Sequence, residues 1–185
     1  MTVIWFTGLP CSGKTTIADN LAKKLKKLGL KVERLDGDIV RKRLSKDLGF
    51  TREDRDKNID RISFISNLLS RNGVIVLASF VSPFRKHRRM AREEIGDRFI
   101  EVFVNCPVEE CIKRDVKGLY RRALNGEIKG FTGVDDPYEK PLNPEIVVNT
   151  HMETVEESVE KIFNKLVEIG VIDIGEQTTW RRINK

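Results

Sequence analysis

The chain is 185 residues long, 39% hydrophobic and 34% charged, with a formal net charge of +6. That balance excludes a disordered chain, and the length suits one domain able to bury a sizeable core. No apolar run reaches the ~20 residues of a membrane span, and the first strand starts too near Met1 for a signal peptide, so neither a membrane nor an export route is expected.

Residues 2–7, TVIWFT, read as a buried strand, and they run into Gly8-Leu9-Pro10-Cys11-Ser12-Gly13-Lys14-Thr15. This is G-x-x-x-x-G-K-[ST], a loop that wraps nucleotide phosphates. Gly8 and Gly13 allow backbone angles that turn successive N–H groups toward one anion. The helix that follows adds its dipole, Lys14 a full charge near the β- and γ-phosphates, and the Thr15 hydroxyl a ligand for Mg²⁺. Ile17, Leu21, Leu25 and Leu28 mark the apolar face of that helix, which stops at Gly29.

A strand over 31–35 ends at Asp36-Gly37-Asp38. A helix through Arg41 to Lys46 is broken at 48–50. Thr51 then caps a helix, with Asp54 three residues on, whose apolar face is Ile59, Ile62, Ile65, Leu68 and Leu69. Residues 74–78, VIVLA, form a continuous apolar run and so a central parallel strand. After the loop 82–85 come a basic helix to about Ile95, a strand over 99–104 and a helix opened by Pro107. Residues 114–143 are polar, rich in Gly and Pro, and lack a clear core face. A last strand over 145–148 precedes a helix opened by the capping box Thr154-Val155-Glu156-Glu157, with Val155, Val159, Ile162, Phe163 and Leu166 inward. The fold class is therefore α/β, three layers with five parallel strands, helices on both faces and an insertion at about 114–143. Residues 1–170 are expected to form one domain and 171–185 a tail, which Trp180 is expected to pin to the body.

The odd count of cysteines, Cys11, Cys106 and Cys111, without a CxxC pair argues against a disulfide framework or a zinc site and for a reducing cytoplasm. The net charge suits anionic small substrates, and of the basic stretches 23–27, 85–92 and 113–122 the first reads as a solvated helix face. They lack the aromatic interleaving of a nucleic-acid surface, so no nucleic-acid partner is expected.

No N-K-x-D motif is present to read guanine, and the strand over 74–78 leads into Ser79 rather than an aspartate. The acidic pair instead follows the second strand, as Asp36 and Asp38. One residue apart, the two point differently, one toward a Mg²⁺-bound water and the other toward an acceptor hydroxyl. An acidic turn is the competing reading, because Asp-Gly is a common turn pair. Arg41, Arg55 and Asn58 lie where two guanidiniums and an amide converge on a doubly charged anion. Phe50 is either a core plug or a stacking platform, and spacing leaves both open. Arg114, Lys117, Arg121, Arg122 and Lys129 make 114–143 either a lid or a plain basic loop.

The segments GLPCSGKTT, LDGDIVR, LGF, RDKNIDRI, SRNGVIV, SPFR, RDVKGLY, GEIKGFTGVDDPYE and PLNPE resemble the adenylylsulfate kinase family, in order and spacing, from the first strand to about Thr150. Pro10-Cys11 stands where that family commonly has Ser-Gly, and Phe84 where Tyr is frequent. The resemblance implies a three-layer P-loop nucleotide kinase fold, with residues 1–170 as the kinase domain and about 114–143 as a basic lid, and transfer of the γ-phosphoryl of MgATP to the 3′-hydroxyl of adenosine 5′-phosphosulfate (APS), giving PAPS and ADP. It implies ATP on Gly8, Leu9, Pro10, Cys11, Ser12, Gly13, Lys14, Thr15, Thr16 and Arg114. APS falls to Asp38, Arg41, Phe50, Arg55, Asn58, Ser82, Lys117 and Phe131, with the rings of Phe50 and Phe131 sandwiching adenine. Lys14, Asp36 and Asp38 are the catalytic set, Mg²⁺ is the cofactor, and a homodimer is implied. The rivals are a nucleoside monophosphate kinase on the same scaffold and a non-catalytic nucleotide-binding regulator.

Overall fold

Alternate residues of β1 (Val3–Thr7) serve two different cores, and this decides the architecture. Ile4 and Phe6 pack with Ile17, Leu21 and Leu25 of α1 (Lys14–Lys27) and with Val159, Ile162 and Leu166 of α7 (Val155–Glu168). Val3 and Trp5 pack on the opposite face with Ile59 and Ile62 of α3 (Arg52–Arg71) and with Ala91 and Ile95 of α4 (Arg85–Ile95). Strand side chains alternate between faces, so a strand apolar throughout must lie between two helical layers. The computed structural model describes residues 1–173, and Trp180 lies outside them.

The sheet is parallel, in the order β2 (Val32–Asp36), β3 (Ile75–Ser79), β1, β4 (Phe99–Asn105), β5 (Ile146–Asn149). From β1 the chain crosses to β2 on one side and later to β4 on the other. The crevice of such a sheet opens where the connections diverge, at the carboxyl end of β1. Register brings the relevant ends level, with Asp36 opposite Ser79 and Thr7 opposite Phe103.

Local signals placed the helix ends well. The Thr51 side chain accepts from Asp54 N, and Thr154 with Glu157 forms the reciprocal capping box. Three expectations are corrected. Leu28 is 50% exposed, because the chain leaves α1 there and Leu30, whose N–H returns to Leu25 O, packs against the core instead. The helix after Asp36 is shorter than expected, α2 (Gly37–Arg43), ending before Ser45. On α3 the buried side is Ile59, Ile62, Ser63, Ser66 and Ser70, while Leu68 is exposed. α3 packs against α4, to which Asn67 is tied by bonds to Glu94.

The polar segment 114–143 does have a core face. Beyond α5 (Val108–Arg114) it contains a short helix, α6 (Leu119–Leu124), whose Tyr120 is fully buried. Tyr120 packs with Cys106 and Cys111, bordered by Leu9, Cys11, Val108, Ile112, Phe131 and Val134. Burial pushes the Cys111 thiol up to about 12, which keeps it neutral and unreactive. All three cysteines are free. Among the described residues no helix is long and apolar enough to cross a membrane.

Candidate active site

The phosphate loop, residues 8–15, lies between β1 and α1, and its acceptors are nearly all committed to protein. The Lys14 ammonium bonds Gly8 O at 2.9 Å and Leu9 O at 2.7 Å. Tyr120 Oη donates to Pro10 O, Arg114 Nη1 to Cys11 O and Ser12 O, and Thr150 Oγ1 to Ser12 O. With its carbonyls engaged in this way, the loop is left to present N–H groups to an anion. Gly8 is required by close approach, since a Cβ there would stand 2.5 Å from the backbone O of Val104. Gly13 (φ 100°) forms the N-cap of α1, and Cys11 holds a left-handed φ of 60° that an L side chain adopts at some strain. Arg114 also bonds Thr150 through Oγ1 and O, so the start of the lid, the loop and the end of β5 are fastened together.

Burial lowers the Lys14 pKa to about 8 from the usual 10.5, despite the nearby Asp36 charge. A polyphosphate beside the ammonium favours its charged form and returns the pKa upward. ATP binding is therefore expected to take up protons near pH 9, where free Lys14 is largely neutral, and to take up few near pH 6.5. Calorimetric titrations in buffers of different ionisation enthalpy measure this directly; uptake independent of pH across that window contradicts it.

At the end of β2, Asp36 and Thr15 meet. Thr15 Oγ1 donates to Asp36 Oδ2 at 2.8 Å, while Asp36 Oδ1 accepts Asp38 N at 3.0 Å and so caps α2. A hydroxyl and a carboxylate side by side are hard oxygen donors of the kind Mg²⁺ takes, so the residues present fit that ion. Arg34, paired with Asp19, reaches within 3.6 Å of Asp36. Asp38 is turned away from this pair. Its carboxylate is exposed and forms an ion pair with Lys117, which extends from the lid.

The acceptor side is built by α2, α3 and the turn between them. Arg41 Nη1 donates to Gly49 O and its guanidinium stacks 4.3 Å from the Phe50 ring centroid. Phe50 is 69% exposed, so it is no core plug. Arg55 Nε donates to Phe50 O and Arg55 Nη2 to Gly130 O at 2.8 Å, which brings the segments carrying Phe50 and Phe131 onto one guanidinium. Phe131 itself stands edge-on to Tyr120, centroids 5.0 Å apart. Asn58 is buried, and its Oδ1 has no hydrogen-bond partner among the described residues. Ser82 (φ 38°) is buried with its Oγ accepting from Trp5 Nε1, so its side chain faces the core rather than the cleft. Thr16 is exposed on the first turn of α1.

Sequence reasoning missed Thr150, Tyr120, Asp136 and Arg88. Thr150 directly follows a strand end, the position where ligand-side residues collect, and that signal was available. The other three act through partners distant in the chain. A separate groove of about 650 Å³, lined by Thr2, Phe99, Ile100, Glu145 and Ile169 among others, lies at the amino ends of the strands and contains none of these groups.

A parallel sheet with a phosphate loop at its switch point, an acidic pair where β2 passes into α2 and a basic segment reaching over both defines a P-loop phosphotransferase. The adenylylsulphate kinase family model matches residues 1–149. An adenylyl-sulfate kinase of Picosynechococcus is 61% identical, covering 91% of this chain and 95% of its own length. One from Halothermothrix orenii is 56% identical over 94% and 93%. The solved APS kinase of Mycobacterium tuberculosis, in complex with AMPPNP and APS, is 39% identical with a TM-score of 0.87, covering 90% of this chain and 97% of that one. The chain belongs to the adenylylsulphate kinase family and has its activity, that of an ATP-dependent adenylyl-sulfate kinase.

Proposed function

We propose that the cleft between the phosphate loop and α2–α3 holds MgATP and adenosine 5′-phosphosulfate head to head, and that Asp38 orients the acceptor's 3′-hydroxyl toward the γ-phosphorus. The observation that carries this is the division of labour at the end of β2. Asp36 faces Thr15 while Asp38, on the same short stretch, faces the lid lysine. One carboxylate therefore serves the donor side and the other the acceptor side.

Residues 8–16 and Arg114 hold ATP, and Thr15 with Asp36 would hold Mg²⁺. That ion, when bound, offsets the charge on the β- and γ-phosphates. Lys14 neutralises the oxygens that gain charge as the bond to the leaving ADP loosens. Asp38 accepts the hydrogen bond of the attacking hydroxyl and takes its proton as the new P–O bond forms. Arg41, Asn58 and Arg55 bind the phosphosulfate, Phe50 and Phe131 grip adenine, and Lys117 joins from the lid. The Ser82 side chain is engaged with Trp5, so that residue contributes through its backbone. Residues 1–170 act as one catalytic unit with 114–143 as its lid. The free thiols suit a reducing cytoplasm, and a homodimer is part of the same proposal.

The test follows ADP release with ATP and Mg²⁺, offering APS or AMP as acceptor. Turnover is expected with APS and not with AMP. Faster turnover with AMP makes the protein a nucleoside monophosphate kinase. Tight ATP binding without turnover on either acceptor makes it a regulator.

A further inference from the structure

Two ion pairs of opposite polarity cross from the acceptor side to the lid: Asp38 of α2 with Lys117, and Arg55 of α3 with Asp136. They differ in setting. The first is exposed at both ends, with side chains 63% and 56% accessible, so solvent screens it and it holds little. The second is sheltered, at 12% and 17%, with Nη1 to Asp136 Oδ2 at 2.8 Å. A sheltered charged pair of good geometry fixes position far better than an exposed one.

Arg55 has five N–H groups, and the structure accounts for four. Nε bonds Phe50 O, Nη1 bonds Asp136 and Thr132 Oγ1, and Nη2 bonds Gly130 O. One N–H on Nη2 is left for an acceptor anion. Its direction is set by the other four bonds, and Asp136 supplies the charged one. Asp136 is itself held in a tight turn. Its N–H returns to Phe131 O, its carbonyl accepts Gly133 N, and Asp135 beside it accepts the N–H groups of Gly130 and Phe131.

We propose that Asp136 is a positioning residue for the acceptor nucleotide. Its carboxylate locks the Arg55 guanidinium between the Phe50 and Phe131 segments, fixing both the spacing of the two rings and the aim of the remaining N–H. This rests on the assignment of Phe50, Phe131 and Arg55 to the acceptor. Asp136 bonds none of the groups assigned to ATP, so its influence falls on one substrate only.

The experiment compares wild type, Asp136→Asn and Asp136→Glu for kcat, for KM toward APS and toward ATP, and for melting temperature. Replacing a charge-assisted bond by a neutral one is expected to raise KM for APS about tenfold, with kcat and KM for ATP within about twofold. The melting temperature is expected to stay within ~3 °C. Asp136→Glu keeps the charge and is expected to recover most of the loss. The proposal is overturned if KM for APS is unchanged, if both KM values rise together, or if the Glu variant is as impaired as the Asn variant. Loss of folding in Asp136→Asn overturns it too, since the pair is then a structural strut. A fall in KM for APS does the same, because Asp136 would then compete with the acceptor. Wild-type protein without APS-dependent ADP release refutes the assignment of the site itself, a separate failure.

Discussion

Asp38→Ala is expected to slow phosphoryl transfer in a single turnover by about 10²–10³-fold, the range lost when a positioned acid–base group is removed. The local structure makes this a clean test. Asp36 caps α2 by accepting the backbone N–H of residue 38, a donor that alanine retains. The Thr15–Asp36 contact therefore survives, and with it the donor side of the cleft. The Asp38 side chain is 63% exposed and, among the described residues, its ion-pair partner is the exposed Lys117, so its removal is expected to change stability by less than about 0.5 kcal/mol. Lys117 is set free and keeps its charge, hence any rate loss reports the missing carboxylate and not a missing cation. Lys14→Ala is the companion measurement. It removes a charge needed more in the transition state than in the ground state, and a loss of about 10²–10³ in kcat is expected there as well. The two variants separate in binding: Lys14→Ala weakens ATP, whereas Asp38→Ala leaves ATP affinity unchanged. Full-rate transfer by Asp38→Ala in a single turnover removes its assigned role.

What the sequence disclosed, and what it hid, follows the range of the interactions involved. The phosphate loop, the caps at Thr51 and Thr154 and the doubly buried strands depend on neighbours a few residues apart, so their residue types declare them. The split between Asp36 and Asp38 was legible for the same reason, since one residue of spacing at a strand end turns two side chains apart. Arg55 shows the limit. Its type and place announced an anion site, yet its lid partners lie 75 to 81 positions away in the chain, and no local pattern could reveal that most of its donors are used to hold the lid. Tyr120 is similar. It looks like part of a polar loop until the phosphate loop and α5 close over it. On α3 the periodicity pointed to Leu68, but Ser63, Ser66 and Ser70 complete the buried side, and polar residue types leave no apolar pattern to read.

Arg88 carries the largest expected effect on stability. It is 4% exposed, with Nε 2.7 Å from Glu101 Oε1 on β4, Nη1 2.6 Å from Ser82 O and Nη2 2.5 Å from Glu139 O. One guanidinium thus joins the sheet, the loop after β3 and the returning end of the lid. Arg88→Ala leaves the Glu101 carboxylate buried with Arg92, 3.9 Å away, as its one remaining ion-pair partner among the described residues. Breaking a buried pair from one side costs about 3–5 kcal/mol, because the remaining charge has lost its compensation. For a chain of this size that is a fall of about 6–20 °C in melting temperature. The pH dependence identifies the cause. Burial already raises the Glu101 pKa against the pull of Arg88 and Arg92, and removing Arg88 raises it further. A carboxyl that binds its proton more tightly folded than unfolded gains stability as pH falls through its folded pKa. The deficit of Arg88→Ala is therefore expected to shrink from neutral pH toward pH 5, and a second change, Glu101→Gln, is expected to recover part of it at pH 7. Thermal unfolding of the single and double variants across that range decides the matter: a deficit that is constant with pH and unrelieved by Glu101→Gln assigns the loss to packing rather than to a stranded charge.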